Sequence, residues 1–291
     1  MKTLLLAVVV SMVSLPSLKA FQSEETVPLA TDVRERCLDT LRNGIKSDEF
    51  WPAMHAAEAL TLAGSGSEVI SYIRDRLVLE KNDQRRCGLA RELVRAGDRS
   101  SLSVLLNVLE NAQSTGRVHA AESLYKLGEA SDSRHLRAAF EQRENPQLQL
   151  MAAAALAKTG HADALKLLRE QFRSEDRTIR NTVAFALARL GGKPDVDPLL
   201  KALETETDIV ARAMLVCALA NLGNARGRAE LTRNLEAADA SVRTMSAEFA
   251  GHSRCVDCRA KLIRLLDDPI LDVRVRAAQS LISLSLPATK R

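Results

Sequence analysis

Residues 177–192 read RTIRNTVAFALARLGG. Arg180, Ala184, Leu187 and Gly191 fall four, three and four residues apart, the spacing of one face of a helix that ends at a glycine. The grouping recurs along the chain. Gly64, Gly97, Gly128, Gly160, Gly191 and Gly223 stand 31 to 33 residues apart, and Arg254 and Ser285 continue the register at steps of 31. Four residues before these positions lie Leu60, Leu93, Leu124, Leu156, Leu187, Leu219, Ala250 and Leu281. Seven before stands alanine, with Val216 the exception, and eleven before stand Arg86, Arg117, Arg180, Arg212, Arg243 and Arg274. A second apolar set follows each turn at eight residues (Leu105, Leu136, Leu168, Leu199, Leu231, Leu262) and at twelve (Leu109, Phe140, Phe172, Leu203, Leu235, Leu266).

Each unit therefore reads as a helix of about four turns, a turn at the glycine, and a second helix. Glycine just past a helix C-terminus tolerates the left-handed conformation that ends it. Alanine in the first helix lets neighbouring helices approach closely. One hairpin cannot bury its apolar stripe alone, whereas stacked hairpins can, so the pattern predicts an all-α solenoid. The repeats occupy residues 49–291. Residues 21–48 read as a polar leader and a capping helix over TDVRERCLDTLRNGI. At the far end, Pro287 stops the last helix as a half repeat, and Arg274, Arg276 and Gln279 are expected to keep that outer end soluble.

The stretch DDPILDVRVRAAQSL, residues 267–281, resembles the HEAT repeat in the short form of the phycobilin lyases, through Asp268, Pro269, Val273, Arg274, Ala277, Ala278 and Leu281. Residues 177–192 resemble it through Ile179, Arg180, Ala184, Leu187, Leu190 and Gly191, and the likeness spans about residues 50–285. The resemblance implies a right-handed α-solenoid of about 7–8 helical hairpins that serves as a binding scaffold. It also implies that Asp176, Asp208 and Asp239, four residues before Arg180, Arg212 and Arg243, pair with arginines to tie successive repeats together.

Composition agrees with helices. Aromatic residues make up only 3% of 291 residues, and glycine (13) and proline (8) are scarce. Residues 1–20, MKTLLLAVVVSMVSLPSLKA, carry a basic start, an apolar run over Leu4 to Leu15 and small residues after Pro16, the order of a secretory signal. The run is shorter than the ~20 residues of a spanning helix, so an exported, periplasmic or extracellular protein without stable membrane insertion is expected. Removal of the signal takes away Lys2 and Lys19 and lowers the net charge from +4 to +2. So balanced a chain does not suit general nucleic-acid binding. Five cysteines (Cys37, Cys87, Cys217, Cys255, Cys258) follow the signal, and the odd number leaves a thiol free or paired between chains.

Few residues point to chemistry. His55 and Glu58, and His119 and Glu122, stand in equivalent columns, but two repeats separate them and a shared metal is not expected. HEAT-repeat di-iron enzymes use adjacent His-Glu pairs, and the chain has no His-Glu dipeptide. Gly64 and Gly66 follow a helix rather than a strand, with Val69 where a third glycine would fall, so no dinucleotide fingerprint exists. Cys255 and Cys258 lie at the turn that lacks its glycine. Arg259 follows where haem attachment needs histidine, and zinc would have His252 beside them, with Asp257 as the remaining nearby donor and no other His or Cys close in sequence. A local disulfide is expected, with a redox pair, a metal site and two inert thiols as alternatives.

Ten residues past the turns, Lys201, Arg233 and Arg264 align on the second helices, and Lys261 lies nearby. These four are the candidate contacts for an acidic partner, on a concave face formed by second helices. No cofactor and no catalytic residue is assigned. The expected function is an exported, non-catalytic scaffold for a protein or peptide; the alternative is an enzyme or enzyme subunit of the phycobilin-lyase type.

Overall fold

The computed structural model describes residues 28–130 and 134–287, so the signal-like residues 1–20 lie outside it. The helices, in chain order, are α1 (Thr31–Gly44), α2 (Phe50–Leu62), α3 (Gly66–Leu79), α4 (Asp83–Arg95), α5 (Leu102–Glu110), α6 (Arg117–Leu127), α7 (Arg134–Phe140) and α8 (Pro146–Lys158). They continue as α9 (Ala162–Gln171), α10 (Arg177–Leu190), α11 (Lys193–Thr205), α12 (Ile209–Asn221), α13 (Ala225–Asn234), α14 (Ala240–His252), α15 (Arg259–Leu265) and α16 (Leu271–Ser285). No strand occurs among the described residues.

The hairpins form where the register places them. The even-numbered helices are the alanine-rich first helices. Each packs on the next even-numbered helix, while every odd-numbered helix packs on the even-numbered helix that follows it, and α3, α5, α9 and α13 also pack on the one before. Small side chains make the inner contacts close: Ala152, Ala153, Ala154 and Ala155 of α8 are all buried, as are Ala218 and Ala220 of α12. The leucines four residues before the turns, among them Leu60, Leu156 and Leu219, are wholly buried.

The two ends of the solenoid meet. α16 packs against both α1 and α2, so eight inner helices close into a ring and α1 takes the eighth outer position. Gly44 permits this seam, because a Cβ there would lie 3.0 Å from Val275 Cγ2 and 3.1 Å from the Ala56 Cβ. Polar contacts lock it: Arg36 Nη2 donates to Asp267 at 2.9 and 3.0 Å, and Arg276 Nη1 to Glu58 Oε2 at 3.0 Å. Arg259 Nη2 reaches the Pro28 carbonyl at 2.5 Å.

Closure corrects two expectations. The last helix is no soluble outer cap: Arg276 is 3% exposed and Gln279 7%. Nor do the second helices form a concave face, because the first helices line the interior.

Gly64, Gly97, Gly128, Gly160 and Gly223 adopt the left-handed conformation, as does Arg254 (φ 53°), which stands where the glycine is lost. Gly191 does not; its φ is −64°, and the next residue, Gly192, is the N-cap of α11, its N–H donating to the Asp195 carboxylate at 2.8 Å. At Gly160 (φ 96°) an added Cβ would meet nothing within 4 Å. Gly160→Ala is therefore a pure backbone test, with an expected cost of about 1–2 kcal/mol in urea denaturation. An unchanged midpoint would contradict the left-handed cap.

The arginine ladder is present with different partners. Asp176, Asp208 and Asp239 cap helix N-termini, accepting from Thr178, Val210 and Ser241 N–H groups at 2.7, 3.1 and 2.8 Å. Arg180 instead donates to the carbonyls of Ser174 and Glu175, and Arg274 to those of Asp268 and Pro269, pinning the loop before each inner helix. Two ladder arginines do reach the loop before the next inner helix: Arg117 donates to Gln142 Oε1 at 2.9 Å, and Arg243 to Asp268 at 2.8 and 3.1 Å.

Candidate functional site

Some side chains of the inner helices reach the next-but-one inner helix, which is possible only across the ring interior. Tyr125 of α6 donates to the Ala186 carbonyl of α10 at 3.1 Å. Arg189 of α10 pairs with Glu248 of α14 and lies over the Phe249 ring at 4.6 Å. Trp51 of α2 stacks on His119 of α6 at 5.7 Å. Among these residues His119, Glu248 and Arg189 stand nine, six and two residues before their turn positions, the i, i+3, i+7 spacing of one helix face turned to the axis.

The stripe changes character along the axis. Nine before the turn, neutral Met151, Thr182, Met214 and Met245 predominate. Six before stand Glu58, Arg91, Glu122 and Glu248. Two before, in the last helical turn, stand Arg95, Lys126, Lys158, Arg189 and His252. Parallel inner helices bring all their C-termini to one mouth of the ring. Each terminus carries roughly half a negative charge, so cations in the last turn are favoured there.

Most of these charges form one network, with Glu122 and Lys126 as a separate pair beside it. Glu58 binds Arg95 at 3.3 Å and Arg276 at 3.0 Å. Glu248 binds Arg189, Arg276 at 3.4 Å and His252 at 3.6 Å. Glu92, 0% exposed, binds Arg91 at 2.6 Å and also Arg95. Glu122 binds Lys126 at 2.9 Å. Burial alone would raise the carboxyls of Glu58 and Glu248, but cations outweigh it: Arg95 and Arg276 hold Glu58 well below the usual range, and Arg276 and Arg189 do so for Glu248. Lys126 and Arg91 bring Glu122 down to about 2. Burial lowers Lys158, and the neighbouring charges of Arg189 and Arg95 lower it further. At this mouth a cavity of about 350 Å³ opens among Glu58, Thr61, Leu62, Arg95, Glu248, His252, Gln279 and Ser283. A groove of about 500 Å³ on the outer wall, bordered by Phe140, Pro146, Leu167 and Ile179, gathers no comparable set of charges.

The predicted residues lie elsewhere. Lys201, Arg233 and Arg264 sit on outer helices, not in a groove. Lys201 and Arg233 are exposed, while Lys261 and Arg264 both hold Glu236, at 2.7 and 2.8 Å. His55 Nδ1 pairs with Asp272 Oδ1 at 2.7 Å, the carboxylate accepting, and Glu58 and Glu122 go to cations. Among the described residues no three His, Cys, Asp or Glu side chains gather as a metal set, and no helix is long and apolar enough to cross a membrane.

The sulfurs of Cys255 and Cys258 form a close pair, with Cα atoms 5.4 Å apart, within the disulfide range. Mass mapping without reduction should find the peptide holding both lighter by two hydrogens; full alkylation of both would remove the staple. Cys37, Cys87 and Cys217 are separate and buried, and burial pushes the first two thiols up to about 12.

Sequence reasoning missed the mouth. A signal was present, since cations recur two residues before four consecutive turns, at Arg95, Lys126, Lys158 and Arg189. On an open solenoid the same column would be a solvated face.

Residues 133–220 match the HEAT-repeat family. Human deoxyhypusine hydroxylase in complex with glycerol is similar in structure at 20% identity, over 87% of this chain and 97% of that one, with a TM-score of 0.41. The complex of CpcE and CpcF of phycocyanin lyase from Nostoc sp. is similar at 20% identity, over 92% and 100%, with a TM-score of 0.44. Likenesses at this level carry no activity over to this chain. No curated protein matches it.

Proposed function

We propose that this chain of HEAT repeats is an exported, non-catalytic interaction scaffold, a closed ring that receives a protein or peptide partner at the mouth where its inner helices end. One observation carries the reading: Arg95, Lys126, Lys158, Arg189 and His252 stand in the last turns of the inner helices at that mouth, where Arg95 and His252, with Glu58 and Glu248, line a cavity of about 350 Å³. Convergent polar groups at a concave site are the usual mark of a binding site. A cationic rim favours an acidic partner and makes capture sensitive to salt. The exterior column is a poorer surface, since Glu236 already engages Lys261 and Arg264.

The test is a crosslinking pull-down from the exported fraction with three forms of the full chain. The wild type should capture a partner. Lys158→Glu should lose it, and the exterior variant Lys201→Glu, Arg233→Glu, Arg264→Glu should retain it. Loss with the exterior variant alone would move the contact to the outer helices. A stoichiometric chromophore or metal in the purified protein would overturn the non-catalytic part of the reading.

A further inference from the structure

Grooves recur on the outer wall with the period of the hairpins. Three lie at equivalent places, each bordered by the residue twelve past one turn and the residue eleven before the next: Phe172 with Arg180, Leu266 with Arg274, and Phe140 with Gln149. The two that hold an arginine open to about 240 and 300 Å³, and the one that holds Gln149 opens to about 500 Å³. The ladder residue is the cause. Gln149 keeps the pin on the preceding helix: its Nε2 donates to the Phe140 carbonyl at 2.8 Å, as Arg117 and Arg212 donate to the Leu109 and Leu203 carbonyls at 3.0 and 2.7 Å. It lacks the rest of the guanidinium, which in Arg117 reaches on to Gln142 at 2.9 Å and in Arg212 to Glu230 at 3.0 Å. The shorter amide leaves open the space that arginine fills elsewhere.

We propose that this groove is a second docking site, separate from the mouth, and that it takes an uncharged peptide segment of a partner protein anchored by one bulky apolar side chain. The walls supply the anchor pocket. Phe140, Leu167 and Ile179 are half-buried and Pro146 is exposed, so apolar surface remains for a guest to cover. A volume of about 500 Å³ has room for one large side chain together with the backbone on either side of it. The edges select the backbone. Glu141 and Arg143, both exposed, add one acceptor group and one donor group of opposite charge, so the rim favours neither an anion nor a cation. Gln171 adds an amide that both donates and accepts. A peptide backbone presents N–H donors and carbonyl acceptors side by side without net charge, which is the complement of that edge. An apolar small molecule would leave these polar groups without partners.

The test titrates the full chain with a pentapeptide, capped at both ends, of four serines around a central phenylalanine, and follows the methyl resonances of Leu167 and Ile179. The same peptide with a central alanine is the control, and toluene is the small apolar probe. The phenylalanine peptide is expected to shift both methyls and to bind about tenfold or more tightly than the alanine peptide. Gln149→Arg should abolish that binding by refilling the groove, with the fold kept, because six other repeats carry arginine at this position. Replacing Glu141 and Arg143 together by alanine should weaken the peptide about threefold or more and leave toluene unchanged; both side chains are exposed, so this variant tests the site even if Gln149→Arg does not fold. Equal binding of the two peptides, or no binding of either, overturns the proposal. So does unchanged binding to a folded Gln149→Arg. If the rim variant binds the peptide as the wild type does, or if toluene binds as tightly as the peptide, the groove is a site for small apolar molecules and the peptide reading falls.

Discussion

Replacing Arg276 with methionine is expected to lower the unfolding free energy by about 3–5 kcal/mol, the cost of leaving buried charge without its partner. Arg276 is 3% exposed and spans the seam, binding Glu58 of α2 and Glu248 of α14 from its place on α16. Its loss leaves Glu248 with Arg189 and Glu58 with Arg95, each short of one cation. Adding Glu58→Gln to the methionine variant should recover part of the loss, because one uncompensated carboxylate is then gone; a double-mutant cycle in urea reads this coupling. Small-angle scattering supplies the shape. A closed ring of this length should give a radius of gyration of about 18 Å, and an open solenoid a larger one. A cost under about 1 kcal/mol, the scale of an exposed pair, would contradict a buried network at a closed seam.

Acid should unfold the protein in two overlapping stages. Burial lowers His55 and His119, so the folded state keeps both neutral. Their contribution is fully present above the unfolded histidine value of about 6.5 and is lost as pH falls through their lower folded values. Glu58, Glu122 and Glu248 are also depressed. Their contribution is complete above the unfolded glutamate value of about 4.3 and is lost as pH falls toward the folded value, about 2 for Glu122. The drop at Glu122 corresponds to roughly 3 kcal/mol. Melting temperature should hold near neutral pH, begin to fall below about pH 6.5, and fall more steeply below about pH 4. Glu122→Gln should flatten the lower part of that curve. A melting temperature that rises as pH drops from 6 to 3 would refute the ion network.

Much of the fold was legible in the residues alone. A glycine every 31 to 33 positions, with leucine four before and alanine seven before, fixes helix, turn and helix, because each residue type satisfies a local requirement of backbone or packing. The same register located the turn at Arg254, which takes the left-handed conformation although it is not glycine. The spacing of Cys255 and Cys258 made their pairing a local matter, and they lie together. The partners of the charged residues were a different kind of question. Asp176 and Arg180 are four residues apart on one helix, yet the aspartate caps backbone N–H groups and the arginine reaches back to carbonyls. Both alternatives are local, and only the loop geometry chooses between them.

The sequence by itself determined the hairpin, its period and its apolar seam, since these arise from contacts a few residues apart. Only the tertiary structure decided that the array closes. Closure depends on the small angle between successive hairpins, summed around the ring, until α16 meets α1 and α2. No single repeat encodes that sum. It turns Glu58, Arg95, Lys126, Lys158, Arg189, Glu248 and Arg276 from a charged helix face into the lining of one mouth, because charges that water would screen on an open surface are held together over a buried interior.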